Sequence, residues 1–215
     1  MMRSLVLIPI LLLGACSSPS ADAPTTAPAA TKAAGEGAEA DQIAGARAAE
    51  APKADSEAFF AGGCFWGVEH YMEQLDGVVS VESGYMGGHL DSPSYEQVTS
   101  HTTGHLETVR VRFDSRRVSY RDVAKLFFEI HDPTQADGQG PDIGPQYLSA
   151  VFVAEPAQEK IVQELIETLR GRGYDVVTQV RAAGPFWQAE DYHQDYYAKT
   201  GKTPYCHARV RRFGD

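Results

Sequence analysis

Cysteine is scarce in this chain of 215 residues: there are three, Cys16, Cys64 and Cys206. No two have the close spacing of zinc ligands, so the pattern gives no support to a metal centre. Basic charge is short as well. Lys and Arg number 19 against 29 Asp and Glu, for a net charge of -10. The one basic cluster is the short Arg209-Val210-Arg211-Arg212 run, which excludes the broad basic face that nucleic-acid binding needs. Long apolar runs are missing too: the run from Leu5 to Leu13 is too short for a bilayer span, and none follows it. There is no internal repeat. Residues 56–215 are the size of one compact domain.

The N-terminus has a basic start at Arg3, the Leu5–Leu13 run and then small residues. Residues 1–15 therefore read as a secretory signal. Leu13-Gly14-Ala15-Cys16 resembles a bacterial lipobox, which implies cleavage before Cys16 and acylation of that cysteine. An ordinary cleaved signal with a free Cys16 is the alternative. Ser17, by the sorting habit of Gram-negative lipoproteins, points to the outer membrane, facing the periplasm. Residues 16–55 form an Ala/Pro-rich segment whose only large apolar residue is Ile43. Such a segment cannot bury a core and is expected to be a disordered tether, with a mean reach of roughly 30–35 Å.

Hydrophobic periodicity divides the remainder into strands and helices. Ala58–Ala61 reads as a strand, and Phe65, Val68, Tyr71, Met72 and Leu75 recur at helical spacing. Val78–Ser83 reads as a strand ending at Gly84. Tyr85 to Pro93 is a glycine-rich loop, and Ser94 caps a short helical turn. Leu106–Phe113 alternates with period two and places Glu107, Val109, Val111 and Phe113 on one face. Ser119 opens a helix through Ile130, followed by a long loop from Thr134 to Pro145. Tyr147–Val153 reads as a strand, Pro156–Arg170 as a helix, Val176–Val180 as a strand and Ala189–Thr200 as a final helix. Few strands separated by long loops predict an α+β two-layer sandwich.

Two residues stand out chemically. Cys64 lies in Gly62-Gly63-Cys64-Phe65-Trp66-Gly67, where a strand turns sharply into a helix. Free backbone N–H groups and the helix dipole favour a thiolate there, and the two following rings can wall an apolar pocket. A small buried cysteine of no chemical role is the plain alternative. Glu107 enters with the apolar face of its strand. A buried carboxyl with a raised pKa is a candidate acid; a glutamate at a frayed strand end is the other reading. Cys64 and Cys206 form either a structural bridge or a redox pair. A cysteine hydrolase or acyltransferase drafting His131 or His193, and a non-enzymatic surface lipoprotein stapled by its cysteines, are the competing classes.

The cysteine hexapeptide resembles the active-site motif of the peptide methionine sulfoxide reductase A family, and the resemblance runs from about Glu57 to Cys206. It implies a ferredoxin-like βαββαβ core with long loops, and reduction of methionine S-sulfoxide, free and in proteins, back to methionine. No cofactor is implied. By motif, Cys64 matches the nucleophile, and Phe65 and Trp66 match the residues that cage the S-methyl group. Tyr95, in Pro93-Ser94-Tyr95, matches an oxygen-binding tyrosine. Glu107, in Gly104-His105-Leu106-Glu107, matches the acid. Asp142 and Tyr147, in Pro141-Asp142-Ile143-Gly144-Pro145-Gln146-Tyr147, match the remaining polar pair. Ile143 and Pro145 depart from members that carry histidine or arginine, and threonine, at those places. His193 in Ala189–Gln194 matches a residue read as structural. The reaction leaves a sulfenic acid on Cys64. Cys206 falls near the family's first resolving cysteine, for recycling by a thioredoxin-like thiol donor. Its tail departs, since His207-Ala208-Arg209-Val210 replaces the usual glycine-rich segment with a further cysteine. The implied role is repair of oxidised exported proteins.

Overall fold

The computed structural model describes residues 53–214. The signal segment, Cys16 and all but the last three residues of the tether lie outside the described residues. Six strands form a sheet in the order β7-β6-β1-β3-β2-β8. These are β1 (Ser56–Gly62), β2 (Val78–Met86), β3 (Leu106–Phe113), β6 (Ser149–Val153), β7 (Gln179–Ala182) and β8 (Trp187–Gln188). The β6–β7 pair is parallel, and every other neighbour is antiparallel. The helices are α1 (Phe65–Met72), α2 (Tyr95–Thr99), α3 (Tyr120–Ile130), α4 (Pro156–Gly171) and α5 (Tyr196–Thr200).

Strand alternation decides which side is covered by helices. Ala58, Phe60, Val81, Tyr85, Val109, Val111, Phe113 and Val151 point to one face and share a core with Val68, Phe127, Ile130, Val162 and Leu169 of α1, α3 and α4. Phe59, Ala61, Met86, Leu106, Ala150 and Phe152 point to the other face, where Leu148, Ala183 and Phe186 from connecting segments cover them. The fold is a mixed α/β arrangement of one central sheet with helices.

The capped starts form as read. Ser94 accepts from Gln97 N in a full capping box, and Ser119 accepts from Asp122 N. Several boundaries differ. β2 does not stop at Gly84 but runs to Met86, because β8 pairs there. A Cβ on Gly84 would lie 2.4 Å from both Phe186 Cζ and Trp187 O, so the glycine admits a close neighbour rather than ending the strand. The long loop holds a hairpin of β4 (Gly138–Gln139) and β5 (Asp142–Ile143), and Tyr147 closes a 3-10 turn instead of opening a strand. The strand read at Val176–Val180 pairs as Gln179–Ala182. The expected final helix shrinks to α5. Asp195 sits at φ 53°, and the Gln194 side chain bonds Ser83 N, Ser83 O and Ala189 O, so an amide side chain holds this segment against β2.

Candidate active site

The turn between β1 and α1 makes the centre. Gly63 adopts φ 95°, and a Cβ there would lie 2.4 Å from Gln139 Cβ, so both conformation and space require glycine. The turn sets Cys64 at the N-cap of α1, where its carbonyl accepts from Gly67 N at 3.2 Å. Cys64 and Cys206 are both buried free thiols. An Asp142 oxygen and the two sulfurs lie within 4.8 Å of one another. Tyr205 Oη donates to the Asp142 carboxylate at 2.9 and 3.0 Å.

The expected thiolate at the helix end is overruled in this reduced arrangement. The Cys206 thiol and burial push the Cys64 thiol well up, and the Trp66 N–H acts in the opposite sense but less strongly.

Glu107 lies on β3 opposite Tyr85 of β2, on the helix-covered face with Val109 and Val111. It is 2% exposed, which removes the frayed-end reading. Its Oε2 accepts from Phe65 N at 3.1 Å, so the carboxyl sits against the first turn of the Cys64 helix. Burial raises its pKa well above the ordinary carboxyl range, the nearby Cys64 adds to this, and the Phe65 N–H opposes both. The group is held protonated. Burial first, and the neighbouring Glu107 carboxyl next, push up the pKa of both the Tyr95 and Tyr147 phenols. Both therefore remain hydroxyl donors.

Aromatic rings complete the wall. Phe65 is buried, with its ring 5.9 Å from Tyr85 and 4.9 Å from His193. Trp66 stacks on Tyr196 at 3.7 Å and donates from Nε1 to His193 Nδ1 at 3.1 Å. Cys64, Glu107, Tyr95, Tyr147, Asp142 and Cys206 thus converge at one end of the sheet, with Phe65 and Trp66 beside them.

The chain is similar to known proteins in sequence and in fold. The peptide methionine sulfoxide reductase family matches residues 56–214. A peptide methionine sulfoxide reductase of Saccharolobus solfataricus is 46% identical over 150 residues, 69% of this chain and 85% of that relative. The chain belongs to the peptide methionine sulfoxide reductase family. It is an oxidoreductase that returns methionine sulfoxide to methionine. The crystal structure of reduced Mxr1 from Saccharomyces cerevisiae superposes with a TM-score of 0.68 at 34% identity, covering 73% of this chain and 92% of Mxr1. Mxr1 in complex with Trx2 has the same fold, with a TM-score of 0.50 at 23% identity over 73% of this chain and 90% of that one.

The histidines considered for a hydrolase do not fit this reductase site as bases. His131 Nδ1 contacts Phe127 O at 2.6 Å and Nε2 contacts Ser149 Oγ at 2.8 Å, and burial lowers its pKa to about 3. His193 is buried and spends Nδ1 on the Trp66 indole. Three contributors escaped the sequence reading. Glu190 accepts from Tyr85 Oη and from Tyr95 N, each at 2.9 Å, and so fixes the start of α2. Tyr205 orients Asp142, and His207 touches Cys206. Tyr205 and His207 flank Cys206 in sequence, and Glu190 lies within the Ala189–Gln194 family run; these were the available signals.

Proposed function

We propose that this protein reduces the S epimer of methionine sulfoxide in oxidised proteins, with Cys64 as nucleophile and Glu107 as acid. The observation that carries the assignment is the protonated, buried Glu107 hydrogen-bonded to the first turn of the Cys64 helix. The Cys64 sulfur attacks the sulfoxide sulfur, while Glu107, with Tyr95 and Tyr147 as donors, protonates the oxygen that must leave. Phe65 and Trp66 hold the S-methyl group. The Cys64 sulfur–substrate sulfur bond forms as the sulfur–oxygen bond breaks and the oxygen leaves as water. Water then adds to the Cys64 sulfur, the sulfur–sulfur bond breaks, methionine departs and Cys64 is left as a sulfenic acid. The adding water gives up one proton, so Glu107 returns to its starting state. Asp142, held by Tyr205, borders the two sulfurs as a polar positioning group.

Cys206 closes a disulfide with Cys64, and a thioredoxin-type thiol reopens it. The two sulfurs lie within 4.8 Å of each other, which supports this, as does the Mxr1–Trx2 complex as a precedent for the partner. A hollow of about 240 Å³ lined by His131, Gln139, Gly140 and Ala208 reaches Cys206. The core is ferredoxin-like and two-layered: β6-β1-β3-β2, all antiparallel, is the order of a βαββαβ unit with α1 and α3 as its crossovers, flanked by β7 and β8. Residues 1–15 act as signal, Cys16 as lipid anchor and 16–55 as tether. Together they hold the catalytic domain at the outer membrane facing the periplasm, where it repairs exported proteins. Among the described residues no helix is long and apolar enough to cross a membrane.

The test is turnover of both epimers of a blocked methionine sulfoxide with dithiothreitol as reductant. The S epimer alone should be consumed. Equal consumption of the R epimer would refute the stereochemical assignment, and no consumption of either would refute the reaction.

A further inference from the structure

We propose that His207 is the base that activates Cys206 for closure of the disulfide on Cys64; this rests on the reading of Cys206 as the resolving thiol. His207 Nδ1 is 3.0 Å from Cys206 Sγ, and Nε2 is 2.7 Å from Gly62 O. A carbonyl only accepts, so Nε2 carries the ring hydrogen and Nδ1 presents its lone pair to the thiol. The arrangement is a thiol–imidazole pair with its tautomer fixed by the strand that leads into Cys64.

The ring is held for this. His207 is 5% exposed, and a Cβ on Gly67 would lie 2.1 Å from Nδ1, so α1 leaves a gap for the imidazole. Beyond it the tail is tied down. Val210 N donates to Glu129 O at 2.7 Å, Arg209 pairs with Glu129 at 2.8 Å, and Arg212 Nη1 donates to Phe128 O at 2.9 Å. The titratable groups around the ring are Cys206, Asp142, His131 of the α3 end and Tyr71 of α1, whose hydroxyl reaches His207 O. Burial lowers the His207 pKa, so the imidazole is neutral and able to accept near neutral pH; Asp142 opposes that shift.

The step balances within the protein. Cys206 gives its proton to His207 Nδ1, and the thiolate sulfur attacks the Cys64 sulfur of the sulfenic acid. The sulfur–sulfur bond forms as the sulfur–oxygen bond breaks. The hydroxyl leaves with the proton returned from His207, as water. Cys206 sulfur is oxidised, Cys64 sulfur is reduced, and no outside oxidant enters.

The experiment uses the full chain with His207→Asn, His207→Ala and Cys206→Ser. Asn retains an acceptor near Nδ1 but has no basicity. Each protein receives one equivalent of methionine S-sulfoxide without added thiol, and Cys64 is sampled over time for disulfide and for sulfenic acid trapped by dimedone. In both His207 variants the disulfide should form at least about 100-fold more slowly, the loss expected for a missing general base, and sulfenic acid should accumulate. Between pH 6 and 8 the variant rate should climb with pH, since without the imidazole the Cys206 proton must be taken by solvent hydroxide; the parent profile should be flatter. Disulfide formation by His207→Asn at the parent rate and with the parent pH profile would overturn the proposal while leaving Cys206 as resolving. Parent-like thioredoxin turnover by Cys206→Ser would instead overturn the underlying reading.

Discussion

Glu107 and Cys64 divide the chemistry through opposite uses of the same buried end of the sheet. Water is excluded there, so burial holds the carboxyl protonated and opposes ionisation of the Cys64 thiol. Glu107→Gln preserves shape but cannot deliver a proton, and the single-turnover rate should fall by about 100- to 10,000-fold. A wild-type rate would remove Glu107 from the acid role. The parent rate should also fall as alkaline pH strips the Glu107 proton, and Glu107→Gln should lack that limb. Stability gives a second sign. The folded pKa is raised above the unfolded value of about 4.3, so the folded state holds the extra proton and stability falls as pH rises between those two values. Glu107→Gln should therefore melt at or above the parent temperature at pH 8. A lower melting temperature would mean the carboxyl is held by stabilising partners. Cys64→Ser should lose turnover without unfolding, because a hydroxyl is a far weaker nucleophile; residual activity above a few per cent would contradict the assignment.

At the scale of elements, α1 is both the platform for Cys64 and the wall behind His207. Gly67→Ala forces a Cβ into the imidazole. It should cost about 1–3 kcal/mol by overpacking and slow Cys64–Cys206 disulfide formation. An unchanged melting temperature and disulfide rate would mean the ring has room to move. β3 was legible residue by residue, because period-two alternation with Val109, Val111 and Phe113 inside also places Glu107 inside. The Cys64 turn was legible because only glycine tolerates the Gly63 conformation. The segment before α5 was not. Its apolar spacing suits a helix, yet the Gln194 side chain substitutes for a strand partner to Ser83, a long-range bond with no local signature. The contact of Tyr205 with Asp142 was hidden for the same reason, since it joins residues 63 apart. The helix-end argument for a Cys64 thiolate missed the second sulfur, which only the fold brings near.

On the scale of the whole molecule, the catalytic domain and the proposed anchor are separable claims. Cys16→Ala should move the protein out of the membrane fraction while sulfoxide reduction persists; retention of the mutant in membranes would contradict acylation at Cys16. The reaction itself is tested most directly in Cys206→Ser, where the intermediate on Cys64 has no internal thiol to consume it. Mixed with excess methionine S-sulfoxide and no reductant, this protein should release about one methionine per chain and carry one dimedone-trapped sulfenic acid on Cys64. Methionine release with Cys64 left unmodified would contradict the account.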